Sequence, residues 1–262
     1  MKRRLRSVAN AAAVLAALLL LWQLLIWVFH VPRFMLPSPV AVARAVVLRF
    51  GSLAQSFAIT AAAAAGGLLA SIAAGLLIAL LFAQSPWLRR MLLPYTILLQ
   101  TVPIVAVAPL IIMWSGAGLF AVTLITFIIC LAPIIANTTQ GLISVDENMV
   151  NLFLMQSATP SQILWKLRLP HALPSFFTGV RIASGVSVIG AITGELFAGS
   201  SAVGQGGLGY SITYALAQLQ TDYLFALVFA ATILGFLFYF IVVFLEYHFL
   251  HEWHDSVRVT EP

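Results

Sequence analysis

Charged residues are scarce in this chain. Asp, Glu, Lys and Arg make up 8% of its 262 residues, whereas hydrophobic residues make up 62%. An average soluble domain carries about 25% charged residues. The composition therefore excludes a soluble globular domain and indicates a protein of the lipid bilayer. The net charge of +5 does not indicate a nucleic-acid partner, because the chain lacks the solvated basic surface that such a partner requires.

Three further absences limit the chemistry of the chain. Cys130 is the single cysteine, so an internal disulfide is excluded and a small buried hydrophobic side chain is expected. The glycine-rich run 203–210 lacks the Lys-Ser/Thr pair of a phosphate-binding loop. His251 and His254 do not have the His-Glu-x-x-His spacing of a zinc protease. We expect their rings to anchor the chain at the membrane interface.

Long apolar stretches dominate the sequence. A transmembrane helix needs about 20 mostly apolar residues, and six such stretches are bounded by charged or turn residues. They are 11–29, 56–83, 92–114, 119–142, 175–198 and 223–249. No small-residue cleavage site follows the first stretch, so an anchored helix is predicted there and not a signal peptide. The sequence predicts an all-α membrane protein with about six transmembrane helices.

The basic residues indicate the orientation, since cytoplasmic loops retain Lys and Arg. With the N-terminus inside, the outer side holds Arg33, Arg44 and Arg49. The cytoplasmic side then holds nine basic residues: Lys2, Arg3, Arg4, Arg6, Arg89, Arg90, Lys166, Arg168 and Arg258. This excess predicts that both termini lie in the cytoplasm.

The third apolar stretch holds three prolines, among them Pro103, together with Gln100 and Thr101. Each proline removes a backbone hydrogen bond, and inside a bilayer the freed carbonyl needs another partner. A broken helix with polar neighbours is typical of a cavity lining. The alternative is a kinked packing helix in which Gln100 is bonded to a neighbouring helix.

Glu195 lies inside the fifth apolar stretch. A carboxylate at membrane depth is costly, and it is expected to face the interior of the bundle or water. Three roles remain open at this point. Glu195 bonds a polar neighbour, lines a permeation path, or relays protons.

The segment 151–174 interrupts the apolar chain and is too polar to cross a bilayer. Thr159, Pro160 and Gln162 have the pattern of a helix start: an N-cap, a proline in the first turn and a capping-box partner. The short amphipathic helix that follows is expected to end at Pro170, before the membrane helix of the fifth stretch. Its residues are Ile163, Leu164, Trp165, Lys166, Leu167 and Arg168. A helix of this kind on the cytoplasmic side is expected to contact a partner.

Residues 157–170 resemble the latter half of the EAA motif in permease subunits of binding-protein-dependent ABC importers. The first half differs, because Asn151, Leu152 and Phe153 stand where that family has Glu-Ala-Ala, and Ser157 stands where it has Gly. Other motifs, in the same order, are similar to the branch that imports nitrate, sulfonates, taurine and thiamine precursors. They are 36–39, 100–103, 108–110, 194–198 and 206–210. The ending Trp253-His254 is similar to members that import pyrimidine precursors or riboflavin.

This resemblance implies a type I ABC importer permease-like bundle, with 1–262 as one transmembrane permease domain. Within it, 143–174 would be a cytoplasmic coupling loop that docks on a separate ATPase. The coupling residues would be Ser157, Ala158, Thr159, Pro160, Gln162, Ile163, Leu164, Trp165 and Lys166. The expected translocation path is lined by Gln100, Thr101, Pro103 and Glu195.

The resemblance also implies the other parts of the transporter. Two ATP-binding subunits, a second permease copy and an external solute-binding protein are expected in a bacterial inner membrane. The chain has no Gly-x4-Gly-Lys-Ser/Thr, so no cofactor and no enzyme activity are expected here, and ATP and Mg would bind the ATPase. The solute would be a sulfonate, nitrate, a pyrimidine or thiamine precursor, or a riboflavin-like compound. The alternative function is an ion-coupled secondary transporter that uses Glu195.

Overall fold

The computed structural model describes residues 2–198 and 206–250, and within these ranges the chain is helical with no β-strand. Eleven α-helices and one π-helical turn follow one another along the described chain. The α-helices are α1 Lys2–Val28, α2 Pro39–Leu48, α3 Phe50–Gln84, α4 Pro86–Thr101, α5 Ile104–Ser115, α6 Leu119–Ile143, α7 Glu147–Met155, α8 Pro160–Ile163, α9 Leu169–Ala198, α10 Leu208–Ala217 and α11 Thr221–Leu250. The π-helical turn is Leu164–Arg168, between α8 and α9. His251 and His254 lie outside the described residues.

Among the described helices, α3, α6, the continuous stretch Pro160–Ala198, and α11 are each long and apolar enough to cross a membrane. The third predicted stretch is not one straight helix, because α4 and α5 meet at an angle of 99° and count as one span only as a bent pair. Val102 and Pro103 separate them, and a proline cannot donate to the preceding turn. The apolar part of α1, Ala13–Val28, is about 24 Å long, against about 30 Å of hydrocarbon. A sixth span and the orientation remain predictions.

The centre of the bundle is α6, which packs between α3 and α9. The face of α3 toward α6 carries Gly67, Ser71 and Gly75, all of them buried. A Cβ on Gly75 would lie 2.7 Å from Cγ2 of Ile134 on α6, so the two backbones approach as closely as glycine allows. The Ser71 hydroxyl lies 2.8 Å from the Phe127 carbonyl across the contact. Small residues at this four-residue spacing thus let the two helices pack at close range.

An adjoining face of α6 receives the small residues of α9. A Cβ on Gly179 would lie 2.9 Å from the Pro133 carbonyl, and one on Gly190 would lie 2.8 Å from Cγ2 of Ile129. Cys130 is fully buried at this contact, with its sulfur 3.4 Å from the Ala183 carbonyl. Its predicted role as a small buried side chain is confirmed.

The bundle has two ends, which we call the loop end and the far end. At the loop end lie the C-termini of α3, α6 and α11 and the N-terminus of α9, and the Phe177 and Phe249 rings stack there. At the far end lie α2, the N-termini of α3 and α11 and the C-terminus of α9. The hydroxyls of Ser56 and Ser211 meet there at 2.8 Å.

The amphipathic helix after Thr159 does not end at Pro170, which corrects the prediction from the sequence. The chain stays helical from α8 through the π-helical turn into α9. The Leu169 amide bonds to the Leu164 carbonyl, five residues back. Pro170 lacks an amide hydrogen, and in a regular α-helix its ring would collide with the carbonyl four residues earlier. The wider π turn ahead of Pro170 accommodates the ring, so the helix continues.

The end of α7 is a Schellman motif with serine in the left-handed position. Ser157 has φ +57°, its amide bonds to the Leu154 carbonyl at 2.9 Å, and the Ala158 amide bonds to the Phe153 carbonyl at 3.0 Å. This position is usually glycine, because a Cβ is disfavoured there. The left-handed conformation therefore explains why the motif that this segment resembles has glycine here, and Ser157 adopts the same conformation despite its Cβ.

We expect Ser157→Gly to stabilise the loop by up to about 1 kcal/mol. The left-handed conformation costs a residue with a Cβ about 1–2 kcal/mol, and glycine avoids this cost. Part of the gain is lost, because glycine gives up more backbone entropy on folding. Ser157→Val should weaken the loop, because a branched Cβ is worse in this conformation. The measurement is the rate of limited proteolysis between residues 151 and 160 in detergent. Ser161→Gly, in the first turn of α8, is the control and should speed cleavage. Faster cleavage of Ser157→Gly than of the wild type would contradict the assignment.

Candidate functional site

The loop end exposes a set of large apolar side chains, which we call the loop patch. These side chains are between 46% and 84% exposed: Met149, Leu152, Leu154, Met155 and Trp165. All five belong to α7 or the π-helical turn, within the predicted coupling loop 143–174. Large apolar side chains exposed on a segment that does not enter the bilayer indicate an interaction site. The loop patch can therefore take a protein partner.

Helix caps hold the loop patch in shape. The Thr159 hydroxyl accepts a hydrogen bond from the Gln162 amide at 3.3 Å, and the Gln162 side chain accepts one from the Thr159 amide at 2.8 Å. The predicted capping box, with Pro160 in the first turn, is confirmed. At the start of α7, the Asp146 carboxylate accepts from the Asn148 amide at 2.7 Å. The surface that a partner would meet is thus ordered before contact.

The predicted coupling residues divide into an outer and an inner group. Ile163 and Leu164 are only 6% and 8% exposed, so neither offers a surface for docking. Leu164 packs in a cluster with Ala79, Ala83, Leu142 and Ala172, which belong to α3, α6 and α9. The outer group is exposed, apart from the half-buried Ala158, and consists of Ser157, Ala158, Thr159, Pro160, Gln162, Trp165 and Lys166. The inner group is Ile163 and Leu164. Through Leu164 it joins the loop to α3, α6 and α9.

Arg168 is not among the predicted coupling residues, but the structure gives it a contact with a membrane helix. Its guanidinium donates to the Ala83 carbonyl at 3.1 Å. Ala83 lies in the last turn of α3, where carbonyls have no partner within the helix. Arg168 therefore attaches the π-helical turn to the end of α3. A basic residue just after an amphipathic helix is a weak signal, and only the fold shows which helix end it reaches.

At the far end, Glu195 is 4% exposed and accepts hydrogen bonds from two other helices. The Thr60 hydroxyl of α3 lies 2.9 Å from each carboxylate oxygen. The Gly209 amide donates to one of these oxygens at 2.8 Å, and the Leu208 amide donates to the Thr60 hydroxyl at 2.7 Å. These two amides open α10, so Glu195 and Thr60 together cap its N-terminus from outside the helix.

Glycines make this cap possible. A Cβ on Gly207 would overlap the Glu195 carboxylate, and one on Gly209 would overlap the Ile192 carbonyl. The described part of the glycine-rich run therefore allows the chain to pass against a buried carboxylate. Residues 203–205 of the run lie outside the described residues. Of the roles left open for Glu195, the geometry supports the bond to polar neighbours, and its place in a path stays a prediction.

The break between α4 and α5 carries the other predicted path residues. Gln100, Thr101 and Pro103 are all exposed on the isolated chain, and the Thr101 hydroxyl bonds to the Leu98 carbonyl at 2.9 Å. Within the described residues the Gln100 side chain makes no hydrogen bond. Nor, within that part of the chain, does a hydrogen bond join Gln100, Thr101 or Pro103 to Glu195, which contacts α3 and α10 instead. The structure thus places the predicted path residues at two separate positions.

A groove of about 450 Å³ lies beside this break, between α3, α4 and α6. Its lining is almost entirely apolar: Ile78, Leu81, Phe82, Leu88, Leu92, Tyr95, Thr96, Leu98, Leu99, Val102, Leu131 and Ile135. The groove by itself supplies few groups for a polar solute. The described residues also contain no cluster of His, Cys, Asp or Glu that could hold a metal ion.

Comparison with known proteins gives the family. Three similar relatives are the riboflavin transport system permease protein RibX of Chloroflexus aurantiacus, the formylaminopyrimidine transport permease protein ThiX of Halalkalibacterium halodurans, and the taurine transport system permease protein TauC of Escherichia coli. RibX is 33% identical, with 92% of this chain and 89% of the relative covered. ThiX is 32% identical, with 84% and 86% covered. TauC is 28% identical, with 97% and 92% covered.

Residues 66–252 match the binding-protein-dependent transport system inner membrane component family. This match spans well over half of the chain, from the middle of α3 to beyond α11. It agrees with the resemblance that the motifs indicated, and with the apolar helices of the bundle. The chain therefore belongs to this family and is a multi-pass inner-membrane permease of the binding-protein-dependent ABC importers.

Proposed function

We propose that the loop patch docks on a separate ATP-binding subunit and that this contact drives inward passage of a small polar solute through the bundle. The observation that carries the proposal is the loop patch itself, apolar and exposed on a loop ordered by caps. In an assembled importer such a surface would be covered by its partner. ATP and Mg would bind the ATP-binding subunits and supply the free energy of transport.

The inner group explains how movement of the loop would reach the membrane helices. Leu164 packs against α3, α6 and α9 at once, and Arg168 holds the last turn of α3. A displacement of the loop cannot occur without displacing these helix ends, because packed side chains do not deform freely. The π-helical turn continues directly into α9, so a displacement of this turn would act directly on that helix.

The remaining parts of the proposal follow the family. The orientation with both termini in the cytoplasm puts the loop patch on the side where an ATP-binding subunit would lie. We include two ATP-binding subunits, a second copy of this chain and an external solute-binding protein. The region 1–262 is taken as one permease domain, with 143–174 as its coupling loop.

For the solute, the relatives' names support a heterocyclic compound. Two of the three are named for formylaminopyrimidine and riboflavin, and both are more similar to this chain than the taurine permease. We propose a pyrimidine or thiamine precursor or a riboflavin-like compound ahead of a sulfonate or nitrate. The proposed path residues are Gln100, Thr101 and Pro103, exposed at the α4–α5 break, and Glu195 at the far end.

Trp165→Glu should reduce the amount of ATP-binding subunit that copurifies in mild detergent by at least about tenfold, because a buried Trp commonly dominates an interface and a carboxylate there would be desolvated. Solute uptake should fall in parallel, while thermal stability should stay unchanged, since Trp165 is 60% exposed in the isolated chain. Trp87→Glu is the matched control, because Trp87 is exposed at the same end, in the first turn of α4, but outside the loop patch. Full copurification and uptake with Trp165→Glu would disprove the docking proposal.

Substitutions of Glu195 separate ATP-driven transport from the alternative of an ion-coupled carrier. Glu195→Gln keeps an oxygen acceptor for the Gly209 amide, so we expect ATP-dependent uptake in proteoliposomes to persist. Glu195→Ala leaves that buried amide unsatisfied and should lower the free energy of unfolding by about 1–3 kcal/mol. Thr60→Val should have a similar effect through the Leu208 amide. If Glu195→Gln abolished concentrative uptake at unchanged thermal stability, Glu195 would be a carrier carboxylate.

A further inference from the structure

The far end carries a basic pocket that the transport proposal does not use. Its volume is about 500 Å³, and it lies between α2 and the turn that joins α10 to α11. Arg33, Arg44 and Arg49 all line it. They are the same three arginines that the sequence assigns to the outer side, so their gathering around one pocket is a property of the fold.

The charges around the pocket are only partly compensated. Arg33 forms an ion pair with Asp222 at 2.7 Å. Arg49 donates to the Gln220 side chain, and its guanidinium lies 4.8 Å from the centre of the Tyr223 ring. Arg44 has no hydrogen-bond or ion-pair partner among the described residues. Three arginines and one aspartate leave a charge of +2 on the described lining.

The surroundings of the pocket are aliphatic. On α2, Val40, Ala43, Arg44 and Val47 are exposed along one face, at the spacing of consecutive helical turns. The other face of α2 is packed into the bundle through Val42, which is buried. An exposed aliphatic face that carries an arginine is typical of a helix lying in the membrane interface, where the guanidinium reaches the headgroups.

A second cavity of about 310 Å³ adjoins the pocket. It shares Arg33 and Arg44 with the first, and aliphatic side chains form most of the rest of its lining: Ile26, Val31, Leu36 and Val40. One site therefore offers guanidinium groups next to an aliphatic slot. Phosphate esters pair well with arginine, and an aliphatic slot suits the glycerol and acyl portion of a lipid.

We propose that this pocket binds the phosphate headgroup of an anionic phospholipid, with Arg44 as the principal contact and Arg33 and Arg49 at its sides. The aliphatic rim favours a lipid over a soluble acidic protein, whose carboxylates would have to be buried against valine side chains. The volume and the adjoining slot favour a lipid over a free phosphate ion. The proposal rests on neither the ATP-driven mechanism nor the identity of the solute.

The test uses the purified, delipidated full chain in detergent and phosphatidylglycerol as the probe. Lipid adducts are counted by native mass spectrometry, and the melting temperature is followed as phosphatidylglycerol is titrated. We expect phosphatidylglycerol to stabilise the wild type and phosphatidylcholine to do so much less. Arg44→Gln should weaken the apparent affinity about tenfold, as loss of a charge-assisted contact predicts, and Arg44→Lys should lose less.

The matched control is Arg90→Gln, an exposed arginine at the loop end, which should bind phosphatidylglycerol like the wild type. Inorganic phosphate is titrated in parallel to distinguish a lipid from the free anion. Unchanged affinity in Arg44→Gln would overturn the proposal. Equal stabilisation by phosphatidylcholine, or competition by millimolar inorganic phosphate that removes all lipid binding, would overturn the assignment to an anionic lipid.

Discussion

Backbone-to-backbone packing on α6 is the constraint on which the rest of the structure depends. In a bilayer, lipid chains are as apolar as leucine, so helices gain little from hydrophobic burial and associate through close van der Waals contact. Gly67 and Gly75 bring α3 against α6, and Gly179 and Gly190 bring α9 against an adjoining face of the same helix. The loop end and the far end are both built on these three helices, so any larger side chain at the contact would alter both ends.

The loop end combines a surface that faces outward with anchors that face inward. The loop patch stays in water on the isolated chain, whereas Leu164 and Arg168 are fixed to helix ends. Because the same short segment carries both, a force applied to its outer face would reach the membrane helices through these few contacts. The arrangement needs no long relay of side chains across the bundle, since α9 itself starts at the loop.

Predictions that rest on a few neighbouring residues agree with the structure, whereas contacts between helices distant in the sequence could not be identified. The capping box at Thr159 is local, because its two partners lie three residues apart at one helix start. The break at Pro103 is likewise local, because proline acts on its own helix. The continuation of the helix past Pro170 depends on a π turn, and the sequence has no periodicity that marks one.

The partners of Glu195 and Arg168 were also beyond a reading of the sequence. Thr60 is 135 residues from Glu195, and Ala83 is 85 residues from Arg168, so each contact exists only once the helices have packed. The buried carboxylate could be predicted to need a partner, but the sequence offered several polar candidates. The division of the coupling residues into exposed and buried groups likewise depends on which face of a short helix meets the bundle.

The first turn of α10 depends on two other helices. Helix α10 begins at Gly207 and Leu208 and has no side chain of its own to cap its first turn. The acceptors come from α9 and α3, so the first turn of α10 is satisfied only while α10 stays seated on both. Lifting α10 would break the hydrogen bonds that the buried Glu195 carboxylate accepts and would leave the first amides of α10 without acceptors. The seating of α10 and the satisfaction of the Glu195 carboxylate are therefore coupled.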